Sequence, residues 1–232
     1  MQAPCCFYTR GVSREYGQFC GLARALEILD GRWTLLVVRD LLTGPKRFTE
    51  LQQGLPGIPS NVLSSRLRHL EASGVVARQL LPRGVAYALT DYGRDLEDAL
   101  IRLGLWGART MGPRRDGEVW SRHSMALALR GAFRPDRARH ADGVYQLTID
   151  GQTLRVSIAD GEVSFTSETD QAPDVVFETD PDSMYQLLTG TWDIDNAIAT
   201  DHMRITGDVD SAHRFFNTFR LAAPIETPAS PD

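Results

Sequence analysis

The chain has 232 residues, which suits one large domain or two small ones. An apolar content of 42% and a charged content of 24% are ordinary for a globular protein and exclude a disordered chain. The net charge is −5, yet residues 1–112 carry 14 Lys and Arg against 10 Asp and Glu, whereas residues 141–232 carry 4 against 17. The basic half can approach nucleic-acid phosphates, and we expect the acidic half to point away from them.

Several classes of protein are excluded at the outset. No apolar run approaches the ~20 residues of a membrane-spanning helix, and the first residues lack the apolar segment of a secretory signal. We therefore expect a cytoplasmic protein without a membrane partner. The three cysteines, Cys5, Cys6 and Cys20, all precede the first predicted helix. No His or Cys cluster follows them, so we expect neither a disulfide framework nor a metal site, and no cofactor.

The first half has the element order of a winged helix-turn-helix. Apolar residues at helical spacing predict helices over about 22–29, 33–42, 48–55 and 60–73. Two strand-like runs follow at 75–81 and 85–90, and Pro82-Arg83-Gly84 between them predicts a tight hairpin. A longer helix then begins at Thr90 or Asp91. Residues 107–118 are rich in Gly, Pro and Arg and are interpreted as a linker.

The second half changes to an α+β pattern. After a helix over about 119–132, Asp150-Gly151 and Asp160-Gly161 separate three strand-like runs and predict hairpins. A fourth strand, two helices from about 180 and 193, a short strand and an amphipathic helix over 208–221 complete it. We predict a mainly α winged helix-turn-helix domain over 1–112, an α+β domain over 113–222 and a disordered tail over 223–232.

The fourth predicted helix has the composition of a DNA-recognition helix. Leu63, Leu67 and Leu70 share one buried face, which leaves a polar face without acidic residues on the opposite side. Such a face can offer donors and acceptors to base edges in the major groove, although an ordinary solvated face has a similar composition. The candidate DNA-binding residues are Ser60, Asn61, Ser64, Ser65, Arg68 and His69 on the helix, and Arg83 at the hairpin tip as a phosphate contact.

Several motifs occur in a family order: GRWT at 31–34, RFTEL at 47–51, LSSRL at 63–67, LEASG at 70–74 and LTDYG at 89–93. Over about residues 15–110 the chain resembles the HxlR-type winged-helix regulators, which are relatives of MarR. The resemblance implies a homodimer whose terminal helices pair and whose two recognition helices read a pseudo-palindromic operator in double-stranded DNA. It makes four residues candidates for the dimer contact: Leu96, Leu100, Leu103 and Trp106.

The same resemblance draws attention to Cys20, which lies just before the first predicted helix. Some family members sense oxidants or electrophiles through a cysteine at that place, and a thiol near a helix N-terminus can react as thiolate. The alternative is a small apolar residue packed at the dimer contact.

Residues 118–222 are similar to the sterol-carrier-protein type of lipid-binding domain. The match rests on an Asp-led strand, a helix with Leu187-Leu188-Gly190 and the sequence RITGD before the last helix. That family implies a hydrophobic tunnel between sheet and helices, although the same residues fit an ordinary core. The candidate ligand-binding residues are Met184, Leu187, Leu188, Trp192, Ile198, Met203, Phe215 and Phe219. No nucleophile–base pair stands out, so we expect no catalytic residues and no enzyme.

Three functions follow from these interpretations. The first is a transcription regulator that responds to an apolar small molecule or lipid in its C-terminal domain. The second is a redox-sensing regulator that acts through Cys20, with a structural C-terminal domain. The third is a lipid carrier with a vestigial DNA-binding domain, which leaves the basic, acid-free recognition face without a purpose.

Overall fold

The computed structural model describes residues 15–82, 84–112, 114–166 and 171–225. Its first half is a winged helix-turn-helix domain, in which β1 and β2 pair antiparallel as the wing. Its elements are α1 (Gly21–Leu29), α2 (Thr34–Leu41), α3 (Phe48–Gly54), α4 (Ser60–Ala72), β1 (Val76–Leu81), β2 (Gly84–Leu89), α5 (Asp91–Arg94) and α6 (Glu97–Ala108).

The second half is an α+β domain built on one sheet with the strand order β5-β4-β3-β6-β7. The pair β3–β6 is parallel, and the other neighbours are antiparallel. Its elements are α7 (Arg122–Ala132), a 3₁₀ turn (Pro135–His140), β3 (Gly143–Ile149), β4 (Gln152–Ala159), β5 (Glu162–Thr166), β6 (Val175–Thr179), α8 (Pro181–Thr189), α9 (Ile194–Ala199), β7 (Met203–Gly207) and α10 (Val209–Thr218).

Short-range chemistry explains where many of these elements begin. The side chains of Asp180, Asp193 and Asp208 each accept a hydrogen bond from the backbone N–H three residues on, so each one caps the helix that follows. Asp150 and Asp160 have positive φ and are each followed by a glycine with positive φ, as two-residue hairpins require. These hairpins join β3 to β4 and β4 to β5, as predicted.

Two predicted helices differ from the observed ones. The long helix expected from residue 91 is divided into α5 and α6. Gly93 lies directly against the backbone carbonyl of Val75, so α5 packs on the start of β1. The helix expected from about residue 119 begins at Arg122. The Ser121 hydroxyl fixes that start by accepting from the backbone N–H of Ser124 at 3.1 Å.

Helices α6 and α7 join the two hydrophobic cores. Leu127 of α7 packs against the core of the first half, and Leu105 of α6 packs against the core of the second half. Gly131 permits this close approach because its Cα lies beside Leu105. An ion pair between Arg130 and Glu97 ties the same two helices together. The second half is therefore docked on the winged helix-turn-helix, while the domain boundary at 112/113 stays a prediction.

Candidate DNA-binding surface and inter-domain cavity

Helix α4 buries the predicted apolar face, since Leu63, Leu67 and Leu70 all lie in the core of the first half. Of the predicted DNA-binding residues, Ser60, Asn61 and Arg68 are exposed, and Ser64, Ser65 and His69 are half-buried. The N-terminus of α4 has no side-chain cap, so its first backbone N–H groups remain available to an anion.

The positive charge of Arg68 is not neutralised inside the molecule. Its Nε donates to the Ser64 carbonyl at 3.3 Å, and none of the ion pairs among the described residues includes it. The nearest acidic residue along the helix, Glu71, instead binds Arg78 of β1 at 3.2 Å. Arg78 is exposed and lies over the ring of Tyr87, which adds a second wing cation that the sequence interpretation did not include.

Unlike the rest of the polar face, the side chains of His69 and Arg66 make hydrogen bonds to the backbone at the end of α1. The imidazole Nε2 of His69 is 2.9 Å from the carbonyl oxygen of Ile28, so this side chain connects α4 to α1. Arg66 donates to the Asp30 carbonyl at 3.2 Å, and its guanidinium fills the space beside Gly31. His69 is therefore the least available to DNA of the predicted set. Arg83 lies outside the described residues.

The predicted dimer face is only partly exposed. Leu103 and Trp106 are 48% and 68% exposed, whereas Leu100 is buried in the core of its own chain and Leu96 is half-buried against it.

A second exposed apolar set lies at α1. Leu22 and Leu26 are 68% and 45% exposed. The buried α1 side chain is Ala23, so this residue faces the rest of the winged domain.

Cys20 is exposed and immediately precedes α1. Its carbonyl oxygen accepts from the backbone N–H of Arg24 at 3.1 Å, as the first turn of the helix requires. Cys5 and Cys6 lie outside the described residues. In the described ranges no cluster of His, Cys, Asp or Glu could hold a metal ion.

The predicted ligand-binding residues mostly fill the core of the second half. Met184, Leu187, Leu188, Met203, Phe215 and Phe219 are buried there, with Trp192 packed against them and Ile198 exposed. The aromatic rings among them pack closely, since the ring centroid of Phe215 lies 4.7 Å from that of Phe219 and 5.0 Å from that of Phe177. Of the eight residues, only Leu188 lines either of the two cavities described below.

A cavity of about 760 Å³, which we call the apolar cavity, lies between the two halves. Its walls come from α2, α6, the linker, α7 and α8, and include Leu36, Leu103, Leu127 and Tyr185. A volume between about 300 and 1,000 Å³ is typical of small-molecule sites. Sequence reasoning missed this place because its walls come from segments separated by more than 100 positions.

The comparison with known proteins agrees with this architecture. Residues 28–115 match the HxlR-like helix-turn-helix family, and residues 127–220 match the SCP-2 sterol transfer family. The HTH-type transcriptional regulator YvaP of Bacillus subtilis is 39% identical over 93 residues, which cover 39% of this chain and 86% of YvaP. YkvN of the same organism, also described as an HTH-type transcriptional regulator, is 40% identical over 38% of this chain and 77% of its own length.

Among solved structures, the reduced form of the transcriptional regulator YodB from B. subtilis is 32% identical, with a TM-score of 0.36, over 42% of this chain and 100% of that one. The wing, the acid-free polar face of α4 and the sequence matches define a winged-helix transcription regulator. The chain belongs to the HxlR-like helix-turn-helix family, and its C-terminal α+β domain is similar to the SCP-2 sterol transfer family. No helix in the described ranges is long and apolar enough to cross a membrane.

Proposed function

We propose that this HxlR-type regulator binds a pseudo-palindromic operator as a homodimer, and that an uncharged apolar compound in the apolar cavity sets its affinity for DNA. This proposal rests on one observation, that residues of both domains line the apolar cavity. Leu36 belongs to the helix-turn-helix domain, whereas Tyr185 and Leu188 belong to the α+β domain. A compound held there contacts both domains at once.

The exposed residues of α4 support the DNA-binding part. Asn61 and Arg68 lie on the exposed side of a helix whose opposite side is buried, which suits a helix that enters the major groove. Ser60 lies at the uncapped N-terminus, where backbone N–H groups suit a phosphate. Arg83 remains the predicted wing contact.

Exposed apolar side chains support the dimer. Leu103 and Trp106 on α6, and Leu22 and Leu26 on α1, are large apolar residues on the first and last helices of the winged domain. Large exposed apolar side chains suit an interaction surface, and a closed two-fold dimer covers the same surface on both copies.

The charges around the apolar cavity favour an uncharged ligand. Arg39 binds Asp40 at 2.8 Å, and Arg114 binds Asp150 at 2.8 Å. A third wall cation, Arg115, has no ion pair among the described residues, but the carboxylates of Glu118 and Asp182 line the same wall and balance its charge. Apolar burial therefore supplies most of the binding energy. A ligand changes DNA affinity only if it prefers one of the two states, and a coupling of about 1–3 kcal/mol corresponds to a roughly 5- to 150-fold change.

The test uses the full chain and an operator recovered by selecting bound fragments of genomic DNA. Organic extraction and mass spectrometry identify any apolar compound that purifies with the protein, and decan-1-ol serves as the added probe. We expect decan-1-ol to bind and to shift operator affinity at least fivefold. Ala128→Phe fills the cavity and abolishes this shift, whereas Ala159→Phe, at an exposed site outside both cavities, retains it. If apolar compounds fail to bind, or bind without changing DNA affinity, the sensing proposal is wrong.

Two alternatives have their own tests. The exposure of Cys20 suits a redox-sensing regulator, for which Cys20→Ser removes the response of DNA binding to oxidants. A lipid carrier with a vestigial DNA-binding domain shows no specific gel shift. For the regulator, operator affinity falls steeply with salt because phosphate contacts release counterions.

A further inference from the structure

A second cavity, which we call the polar cavity, has a volume of about 700 Å³ and shares Val119 and Trp120 with the apolar cavity. Its walls come from the α2–α3 loop, the end of α3, the start of α7 and strands β4 and β5. It therefore also joins the two domains. Gln53 and Gly54 on its wall lie only a few residues before the recognition helix.

Two cations border this cavity without a partner of their own. Within the part of the chain that the structure describes, the Lys46 ammonium and the Arg122 guanidinium form no ion pair and no hydrogen bond, although the backbone N–H of Arg122 donates to Gln152 Oε1 at 3.4 Å. Lys46 is half-buried, and burial together with the nearby charge of Arg122 lowers the pKa of its amine, opposed by Asp40 and Glu50. A half-buried unpaired ammonium is costly, and an anion beside it reduces that cost.

His123 lines the same cavity, and its pKa reflects the positive charges around it. It is buried, and Thr43 Oγ1 lies 2.9 Å from its Nδ1. The Thr43 hydroxyl donates its hydrogen to the Asp40 carbonyl, so it accepts from Nδ1–H, which leaves Nε2 of the neutral ring without a proton. Burial and three neighbouring cations, Lys46, Arg122 and Arg39, lower the pKa of His123 to about 3.

The remaining wall offers one unused donor, flat apolar surface and one carboxylate. The Nε1–H of Trp120 is buried and has no hydrogen-bond partner among the described residues. The Phe165 ring lines the wall from β5, and the Glu50 carboxylate, which also lines it, accepts from the backbone N–H of Arg47. The buried Asp40 carboxylate is covered by Gly54 and paired with Arg39, so it does not line the cavity.

We propose that the polar cavity binds a small organic oxyanion, a carboxylate or a phosphate, between Lys46 and Arg122, with an aromatic or other flat body against Trp120 and Phe165. The bound anion bridges the α2–α3 loop of the helix-turn-helix to the α+β domain. This site is distinct from the apolar cavity, with which it shares Val119 and Trp120, and an anion can bind here whether or not the apolar cavity holds a ligand.

Calorimetric titration of the full chain with benzoate, benzamide and inorganic phosphate tests the proposal. Benzamide has the shape of benzoate without its charge, so we expect it to bind at least tenfold more weakly. Arg122→Gln and Lys46→Gln should each weaken benzoate binding at least tenfold. Arg137→Gln, which removes an exposed cation outside both cavities, should change it less than twofold.

A second readout keeps the result independent of folding. The imidazole pKa of His123, followed by NMR, should rise when inorganic phosphate binds, because phosphate is still an anion at the low pH where this imidazole titrates and offsets the three cations. Thermal unfolding verifies that Arg122→Gln, an exposed substitution, leaves the fold intact. If phosphate binds and benzoate does not, and the same variants lose phosphate binding, the oxyanion site is supported and its ligand is a phosphate rather than a carboxylate. The proposal is overturned if neither anion binds. It is also overturned if benzamide binds as tightly as benzoate, or if the Lys46→Gln and Arg122→Gln variants bind benzoate as tightly as the wild type.

Discussion

Acid should destabilise this protein through one buried imidazole. Burial and neighbouring cations lower the pKa of His123 in the folded chain to about 3, whereas an unfolded histidine titrates near 6.5. Between these two values the unfolded state binds the extra proton. The contribution of His123 to stability is therefore complete above pH 6.5 and is lost as the pH falls toward 3.

The size of the effect follows from the difference in pKa. One pKa unit is worth about 1.4 kcal/mol, so lowering the pH from 6.5 to 4.5 should remove roughly 3 kcal/mol through His123 alone. That is a large share of the ~5–15 kcal/mol by which domains are stable. Burial raises the pKa of Asp40, which acts in the opposite direction, but this contribution is shared by wild type and variant and cancels in their comparison.

The variant that isolates the effect is His123→Asn, whose amide can still donate to the Thr43 hydroxyl but does not titrate. Urea unfolding, followed by tryptophan fluorescence at pH 7.0, 6.0, 5.0 and 4.5, gives the free energy of unfolding of both proteins. We expect the gap between them to change by roughly 3 kcal/mol in favour of the variant toward acid pH. His140→Asn, at an exposed site, should follow the wild type. Parallel curves for wild type and His123→Asn would refute the reasoning.

Three further predictions concern the winged domain. Gly31→Ala should lower the free energy of unfolding by about 1–3 kcal/mol in thermal denaturation, because φ is +98° and the Arg66 guanidinium occupies the place of a Cβ; an unchanged Tm contradicts this. Arg68→Gln should weaken operator binding in a salt-dependent gel shift. If Arg68 contacts a phosphate, the slope of log affinity against log salt concentration should become shallower by about one unit, and if Arg68 contacts a base, the variant should lose base preference at that position. Trp106→Glu should shift the chain toward monomer in light scattering, whereas Tyr92→Glu, also exposed, should not.

The local features of this protein could be predicted from neighbouring residues. The periodicity of Leu63, Leu67 and Leu70 correctly predicted which face of α4 is buried. The Asp-Gly pairs at 150–151 and 160–161 correctly placed both hairpins, since their φ values depend on the residues themselves. The family could be recognised for the same reason, because its motifs are short and contiguous.

Features that depend on distant partners could not be predicted from local patterns. The spacing of Leu22 and Leu26 predicted a helix but not its buried side, since both residues are exposed and Ala23 is buried. In the second half, the residues considered for a tunnel mostly lie in the core, where Phe215 and Phe219 pack ring against ring, in line with the alternative of an ordinary core. Apolar spacing marks a residue as core-forming but does not distinguish a filled core from a lined cavity.

The sequence by itself therefore determined the winged helix-turn-helix, the α+β order of the second half and the capped starts of its helices, since each depends on contacts over a few residues. Tertiary structure alone decided that α7 docks on α2 and α6 and that two cavities form between the domains. It also brought His123 to Thr43, 80 positions away in the chain. Such pairs depend on how whole faces fit together, and no local pattern in the sequence encodes that fit.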